Sequence, residues 1–422
     1  MNGRSAPAID SGRLRELLSD INSFGVDSSG GYSRPGFSDA DMAARHWLKD
    51  RMTSEGLATW LDAVGNLFGR LGPQDGPCIM TGSHLDTVPQ GGAYDGALGV
   101  AVALECVLAI RDAGIEPAIP IEVVATSEEE GRFGGMLGSQ AIAGLVTSEW
   151  IANASDADGV RLPDAMRAQG LDPLRAETAR REPGMVTAFV ELHVEQGPVL
   201  EAASVPIGIA DSVSGIIHRG VTLSGAANHS GTTPMEMRAD AFAGLAGIAA
   251  AIPDIVSAAG TDQSRITIGK VELKPNFPHT VPGEAAFSVI IRDTDEAVMR
   301  RLARAIDDAI EQGAKRNRLR YELVERSRIA PVLLDVRLAD LLAAEAEKLG
   351  LGHLRMASGA GHDAQTMQAL CPSALIFVPS RGGISHAPEE WTDWEAILAG
   401  ARLMLASLMR LSASDLRFAA TR

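Results

Sequence analysis

The chain lacks any excess of positive charge: 38 Lys and Arg stand against 54 Asp and Glu, a net charge of −16. A field of that sign repels phosphate backbones and anionic lipid, so nucleic-acid and membrane-surface partners are not expected. It leaves anionic substrates open, because a local Arg or a bound cation reverses the sign inside a cleft. Cysteine is scarce. Cys78, Cys106 and Cys371 are odd in number, far apart and free of any CxxC spacing, which argues against a disulfide scaffold and for reduced core thiols in a cytoplasmic protein. No apolar stretch runs uninterrupted for about 18 residues. The opening MNGRSAPAIDSGRLRELLSD has no apolar h-region, so neither a membrane span nor a secretion signal is expected. Internal repeats and low-complexity segments are absent as well.

What is present is a soluble globular composition, 45% apolar and 22% charged, which excludes wholesale disorder. A chain of 422 residues exceeds what one core usually carries, so two domains or a large insertion follow. Leu14, Leu17, Leu18 and Ile21 share one helical face, a Gly/Ser-rich loop runs from Ser28 to Gly36, and a second helix passes through Met42, Trp47, Leu48 and Met52. From Cys78 the pattern alternates. CIMTGSHLDTV enters a polar loop, GALGVAVALECVLAIRDAG is a small-residue helix, and IPIEVVATSEEE is a buried-type strand broken off by carboxylates. Such alternation predicts an α/β sheet with helical cover, with chemistry gathered beyond the carboxyl ends of the strands.

Residues from about 213 to 328 read as a separate unit. HRGVTLSG, RITIGKVEL, AAFSVIIRD and LRYELVER are strands; RADAFAGLAGIAAAI and DEAVMRRLARAIDDAIEQGA are helices. The order β-α-β-β-α-β is that of a ferredoxin-like split βαβ unit. Helical periodicity then resumes in VRLADLLAAEAEKLG, and CPSALIFVPS is one more buried strand. The expected architecture is a discontinuous α/β domain, residues 1–212 and 329–422, with an α+β domain of residues 213–328 inserted.

The strongest chemical signal is Ser83-His84-Leu85-Asp86-Thr87-Val88 followed by Tyr94-Asp95-Gly96. A His at a strand end and an Asp in the next loop can converge on one cation, and Asp86 is spaced to accept the other imidazole N–H. Glu128, Glu129 and Glu130 close a strand, and three adjacent carboxylates are easiest to tolerate beside a cation. His193 in ELHVEQG and His386 in GGISHAP also sit at predicted strand ends. Each alone has a bland reading: a surface hydrogen bond, a solvated loop or a satisfied core histidine. Their coincidence favours a site. Imidazole and carboxylate donors without thiolate suit Zn²⁺, Mn²⁺, Co²⁺ or Ni²⁺, and five ligands suit two ions if one carboxylate bridges.

Jointly, GSHLDTVPQGGAYDGALGV, TSEEEGRFGGMLGS, ELHVEQGPVLE, HSGTTPM, SGAGHDA and GISHAPEEW resemble the hydantoinase/carbamoylase branch of the M20 metallopeptidase superfamily. That branch holds N-carbamoyl-L-amino-acid amidohydrolases, allantoate amidohydrolases and β-ureidopropionases. The resemblance spans about residues 12 to 410. It implies a two-metal zinc-peptidase-like catalytic domain with an inserted ferredoxin-like lid and dimerisation domain. It assigns His84 and His193 to one ion and Glu130 and His386 to the other, with Asp95 bridging and Glu129 as general base; Asp86, read from its spacing to His84, joins the catalytic set. It further implies Gln196 as a ureido contact, His229 as the oxyanion stabiliser, and Arg292 with the Gly359 backbone as carboxylate contacts. His279 stands where the family usually has Asn, and Ile290 where it commonly has Asp. The stretch after Glu130 is shorter than usual. The implied reaction is hydrolysis of a linear C–N amide, that of N-carbamoyl-L-amino acids first, by a homodimer with two divalent ions per subunit. Alternatives are allantoate or another ureido acid, an N-acyl or peptide bond, or a non-catalytic binding homologue.

Overall fold

A computed structural model describes residues 6–413. The chain divides into two compact units, one formed by residues 1–211, 334–356 and 361–422, the other by 212–333 and 357–360. The expected inserted segment was 213–328. The unit reaches further because Ser358 accepts the Ser214 N–H and Gly359 accepts from Arg292, tying a short downstream stretch to it.

In the first unit the strands run in the order Ala58–Leu61, Leu67–Leu71, Ile121–Thr126, Cys78–His84, Val186–Val194, Ser373–Val378, Ile207–Val213. The four from Ile121–Thr126 to Ser373–Val378 are mutually parallel. Cys78–His84, Ile121–Thr126 and Ser373–Val378 are buried at every residue, as expected where helices cover both faces of a parallel sheet. The helix Ala97–Asp112 is buried along its whole length from Ala97 to Ile110. Its small residues let it lie close to the strands. The hairpin of Ala58–Leu61 and Leu67–Leu71 is not foreseen from the sequence. It turns on Asp62, whose carboxylate accepts the main-chain N–H groups of Val64 and Asn66.

In the second unit an antiparallel sheet has the order Val271–Lys274, Glu284–Asp293, Gly215–Ser224, Arg320–Ile329, with Arg265–Thr267 also pairing Glu284–Asp293. Burial along Glu284–Asp293 alternates residue by residue, so one face is packed and the other open. The packed face meets the helices Ala241–Ala259 and Glu296–Arg316 through Leu223, Leu245, Ile248, Ile291, Leu302 and Ile306. RITIGKVEL is not one strand but two. The Ser288 hydroxyl accepts the Lys270 N–H and interrupts the ladder between them.

One described helix, Ala241–Ala259, is long and apolar enough to cross a membrane by length and composition. Pro253 and Asp254 interrupt its apolar run in the sequence, and 22% of it is buried, on the side carrying Gly244, Leu245 and Ile248.

Candidate metal centre

The parallel strands of the first unit end on one side of the sheet, and the ionisable residues of interest follow those ends. His84 is the last residue of Cys78–His84 and His193 the penultimate residue of Val186–Val194. Glu129 and Glu130 follow Ile121–Thr126, and His386 follows Ser373–Val378. Asp95 precedes the helix Ala97–Asp112, in a turn closed by Gly96 at φ +63°. A Cβ on Gly96 would come within 2.5 Å of the His84 ring, so only glycine lets the two ligand-bearing segments approach.

Three imidazoles converge on the buried Asp95 carboxylate. His193 Nε2 lies 3.0 Å and His84 Nε2 3.4 Å from Oδ1, and His386 Nε2 3.3 Å from Oδ2. Glu130 is 3.5 Å from His386 and Glu129 3.7 Å from His84. The donor atoms of His84, Asp95 and His193 lie within 4.8 Å of one another, as do those of Asp95, Glu130 and His386, and of His84, Glu129 and Glu130. Glu128 stands apart from its neighbours. It sits at φ +55°, and its carboxylate accepts the N–H groups of Phe133 and Gly135.

These donors fit a divalent cation. His84 Nδ1 faces the Asp86 main-chain carbonyl and His193 Nδ1 the Val194 carbonyl, each at 2.9 Å. A carbonyl accepts only, so Nδ1 carries the proton and Nε2 of the neutral ring turns a lone pair toward carboxylate oxygens. Lone pairs facing lone pairs repel, and a cation between them removes the repulsion. The Gly96 N–H, 3.3 Å from His193 Nε2, agrees with an Nε2 lone pair. Glu130 Oε1 is buried with no hydrogen-bond partner.

Without a cation the cluster shares protons. Burial opposes ionisation of Asp95, but the His193 charge and hydrogen bonds from the three imidazoles outweigh it and hold Asp95 well below the carboxylate range. Burial, reinforced by the Glu130 charge, pushes Glu129 well above its ordinary value despite His84; burial and then Asp95 push Glu130 to about 7. His386 rises to about 9, chiefly through its hydrogen bond to Asp95. A bound cation displaces these protons.

The expected role of Asp86 needs a correction. Its main-chain carbonyl, not its carboxylate, meets His84 Nδ1, because the chain turns directly after the strand. The carboxylate instead accepts the Glu130 N–H at 3.1 Å and lies 3.9 Å from the buried Arg45. Arg45 also donates to the carbonyls of Ala125 and Thr126, so it holds the end of the strand that leads to Glu129. Gln196 reaches the cluster: Nε2 donates to Asp95 Oδ2 at 2.8 Å, and Oε1 is buried without a partner.

The other predicted substrate contacts belong to the second unit. His229 is exposed and pairs in register with Thr280, beside the exposed His279. Arg292 lies on a strand flanked on both sides, not at a sheet edge, and Nη1 donates to the Gly359 carbonyl at 2.6 Å. Among the described residues no carboxylate pairs with it. Sequence reasoning missed a buried acid layer behind the cluster. Glu191 accepts the Ser83 hydroxyl and the Ala364 N–H, and Asp363 accepts from Thr126. A Glu inside an apolar strand, two residues before His193, was the available signal. His362 also escaped notice; its ring meets that of His193 edge-on at 4.5 Å.

The family model of peptidases M20/M25/M40 matches residues 80–410. The chain belongs to that family. It is 36% identical over 409 residues to an N-carbamoyl-L-amino acid amidohydrolase of Geobacillus stearothermophilus, covering 96% of this chain and 99% of that one. An allantoate amidohydrolase of Bacillus subtilis is also 36% identical, over 94% of this chain and 97% of its own. Among solved structures, an amidase of the hydantoinase/carbamoylase family from Burkholderia multivorans matches with a TM-score of 0.89 at 31% identity, covering 96% of this chain and 98% of that one. This M20 member therefore sits in the hydantoinase/carbamoylase branch, whose metal dependence agrees with the donor groups above.

Proposed function

We propose that this amidohydrolase removes the carbamoyl group of N-carbamoyl-L-amino acids, using two divalent ions drawn from Zn, Mn, Co and Ni. His84 and His193 would hold one ion, Glu130 and His386 the other, and Asp95 would bridge them. The observation that carries the reading is the meeting of three imidazole Nε2 atoms at one buried carboxylate, with Glu129 beside them. Ions held by these residues would supply an acidified water and a polarised ureido carbonyl. Glu129 takes the proton from the attacking water and returns it to the leaving amino nitrogen. Gln196 orients the ureido group. His229 donates a hydrogen bond to the developing oxyanion, while Arg292, His279 and the Gly359 backbone hold the substrate carboxylate. Arg292 suits that task because, among the described residues, its planar fork has no acidic partner. One water is consumed and the bond from carbonyl carbon to the amino nitrogen breaks, releasing the amino acid and carbamic acid, whose remaining C–N bond then breaks to give carbon dioxide and ammonia.

Allantoate and other ureido acids form the second reading, favoured by the 36% and 35% identity to allantoate amidohydrolases. Ammonia release measured across a panel of N-carbamoyl-L-amino acids, allantoate, ureidoglycolate and N-acetyl amino acids decides between them. No release from any N-carbamoyl-L-amino acid overturns the first reading.

The inserted unit is read as lid and dimerisation domain. Its helix Ala241–Ala259 leaves Phe242 49% exposed, and its edge strand Arg320–Ile329 is exposed at nearly every residue; a second copy would cover both. Sedimentation of an active monomer overturns this. Three free, buried cysteines suit a cytoplasmic location.

A further inference from the structure

His386 differs from the other two imidazoles of the cluster. His84 and His193 are fixed by a main-chain carbonyl at Nδ1, whereas among the described residues Nδ1 of His386 has no such partner. Its side chain is 50% exposed. Something outside the ring must set its place.

Glu390 follows four residues later and is 3% exposed. Its Oε1 accepts the main-chain N–H groups of Tyr94 and Asp95, both at 3.0 Å. Its Oε2 accepts the hydroxyl of Ser385, the residue before His386, at 2.8 Å. That hydroxyl also lies 3.3 Å from Asp95 Oδ2. Gly92 packs so closely that a Cβ there would come within 2.2 Å of Glu390 Oε1. Trp391 meets Tyr94 edge-on, with ring centroids 5.8 Å apart at 85°. Two segments nearly three hundred residues apart are thus clasped through one carboxylate and one aromatic pair.

We infer that Glu390 is a positioning residue that fixes His386 against Asp95 and diverts the Ser385 hydroxyl proton from Asp95 Oδ2. The inference rests on the two-ion reading above. A buried carboxylate is tolerated when donors satisfy it, and three donors do so here. The Ser385 hydroxyl has one proton. Held by Glu390, that proton is not available to Asp95. Without Glu390 it turns to Asp95 Oδ2 and competes with the ion, while the Tyr94 and Asp95 amides lose their acceptor and the His386 segment loses its tether. His84 and His193 are held by their own main-chain carbonyls and depend less on this clasp.

The test titrates Co²⁺ into chelator-stripped wild type, Glu390→Ala and Glu390→Gln, reading bound ions by equilibrium dialysis and amide hydrogen exchange at residues 92–96. In Glu390→Ala the first ion is expected to bind within about threefold of wild type and the second at least about tenfold more weakly, with faster exchange at Tyr94 and Asp95. Glu390→Gln keeps an oxygen for both amides but turns an N–H toward the Ser385 hydroxyl, so exchange at Tyr94 and Asp95 is expected to match wild type while the second ion binds at least about threefold more weakly. Equal weakening of both ions, or of neither, overturns the inference. A wild type that takes one cobalt rejects the two-ion reading instead; unaltered exchange in Glu390→Ala then overturns the clasp by itself. Should Glu390→Ala not fold, Ser385→Ala replaces it: a weaker second ion with unchanged exchange at Tyr94 and Asp95 supports the inference, and an unchanged second ion overturns it.

Discussion

Strand Cys78–His84 of the first unit is buried at all seven residues, whereas strand Glu284–Asp293 of the second alternates buried and half-buried positions along its length. The first belongs to a parallel sheet covered on both faces, the second to an antiparallel sheet with one open face. This difference decides where charge can sit. In the first unit ionisable side chains gather at the strand ends and all but His386 are largely buried, and carboxylates crowded there favour a cation. In the second unit His229 and His279 are exposed and Arg292 is half-buried, so no ion is needed to tolerate them. The first unit gathers a donor set that fits a cation, and the second carries its polar side chains exposed or half-buried.

That contrast predicts that substitutions in the two units fail differently. The largest effect is expected for Glu129→Gln, which removes the proposed proton acceptor beside the proposed ligands: turnover should fall by about 10²- to 10⁴-fold with metal content unchanged. A loss below about tenfold excludes Glu129 as the base. Next comes Arg292→Lys in the second unit. Replacing a planar fork by a point charge should lower kcat/KM by about 10- to 100-fold while bound metal stays as in wild type. Lost metal in this variant breaks the division of labour. The smallest effect concerns pH. In the metal-free cluster His386 is held up at about 9, first by its hydrogen bond to Asp95, and Glu130 at about 7, first by burial. Both carry protons at pH 6 that an ion must displace. Metal affinity therefore rises with pH, by about tenfold per unit for each proton displaced, and calorimetry in buffers of different ionisation enthalpy should detect proton release at pH 7. No release implies that the cluster is already deprotonated.

Much of the site was legible because its residues stand at recognisable strand ends. His84, His193 and the Glu129–Glu130 pair follow apolar runs that could only be buried strands, and chemistry collects beyond such ends. Less visible were residues whose function depends on a partner far along the chain. Glu390 reads as one acid in an acidic stretch until its bonds to Tyr94 and Asp95 are seen, and Arg45 reads as a helix-surface cation although it is fully buried. Glu128 and Glu129 are indistinguishable by type. Backbone direction, with Glu128 at φ +55°, turns one carboxylate to main-chain amides and leaves the other facing His84. The assignment of Asp86 failed for the same reason, since spacing fixes how far a side chain lies from His84 but not whether its carbonyl or its carboxylate arrives.

The sequence alone determined most of the local matters: many of the strands and helices, that two cores are needed, and that imidazoles and carboxylates outnumber thiols as available ligands. These follow from hydrophobic periodicity and side-chain chemistry, which act over a few residues. Only the tertiary structure decided that His84, Asp95, His193 and His386 share one small volume, which two acids of the triplet join them, and which residues surround the His386 segment. Those outcomes depend on the order of parallel strands and on buried hydrogen bonds closing across hundreds of residues, and no local pattern encodes either.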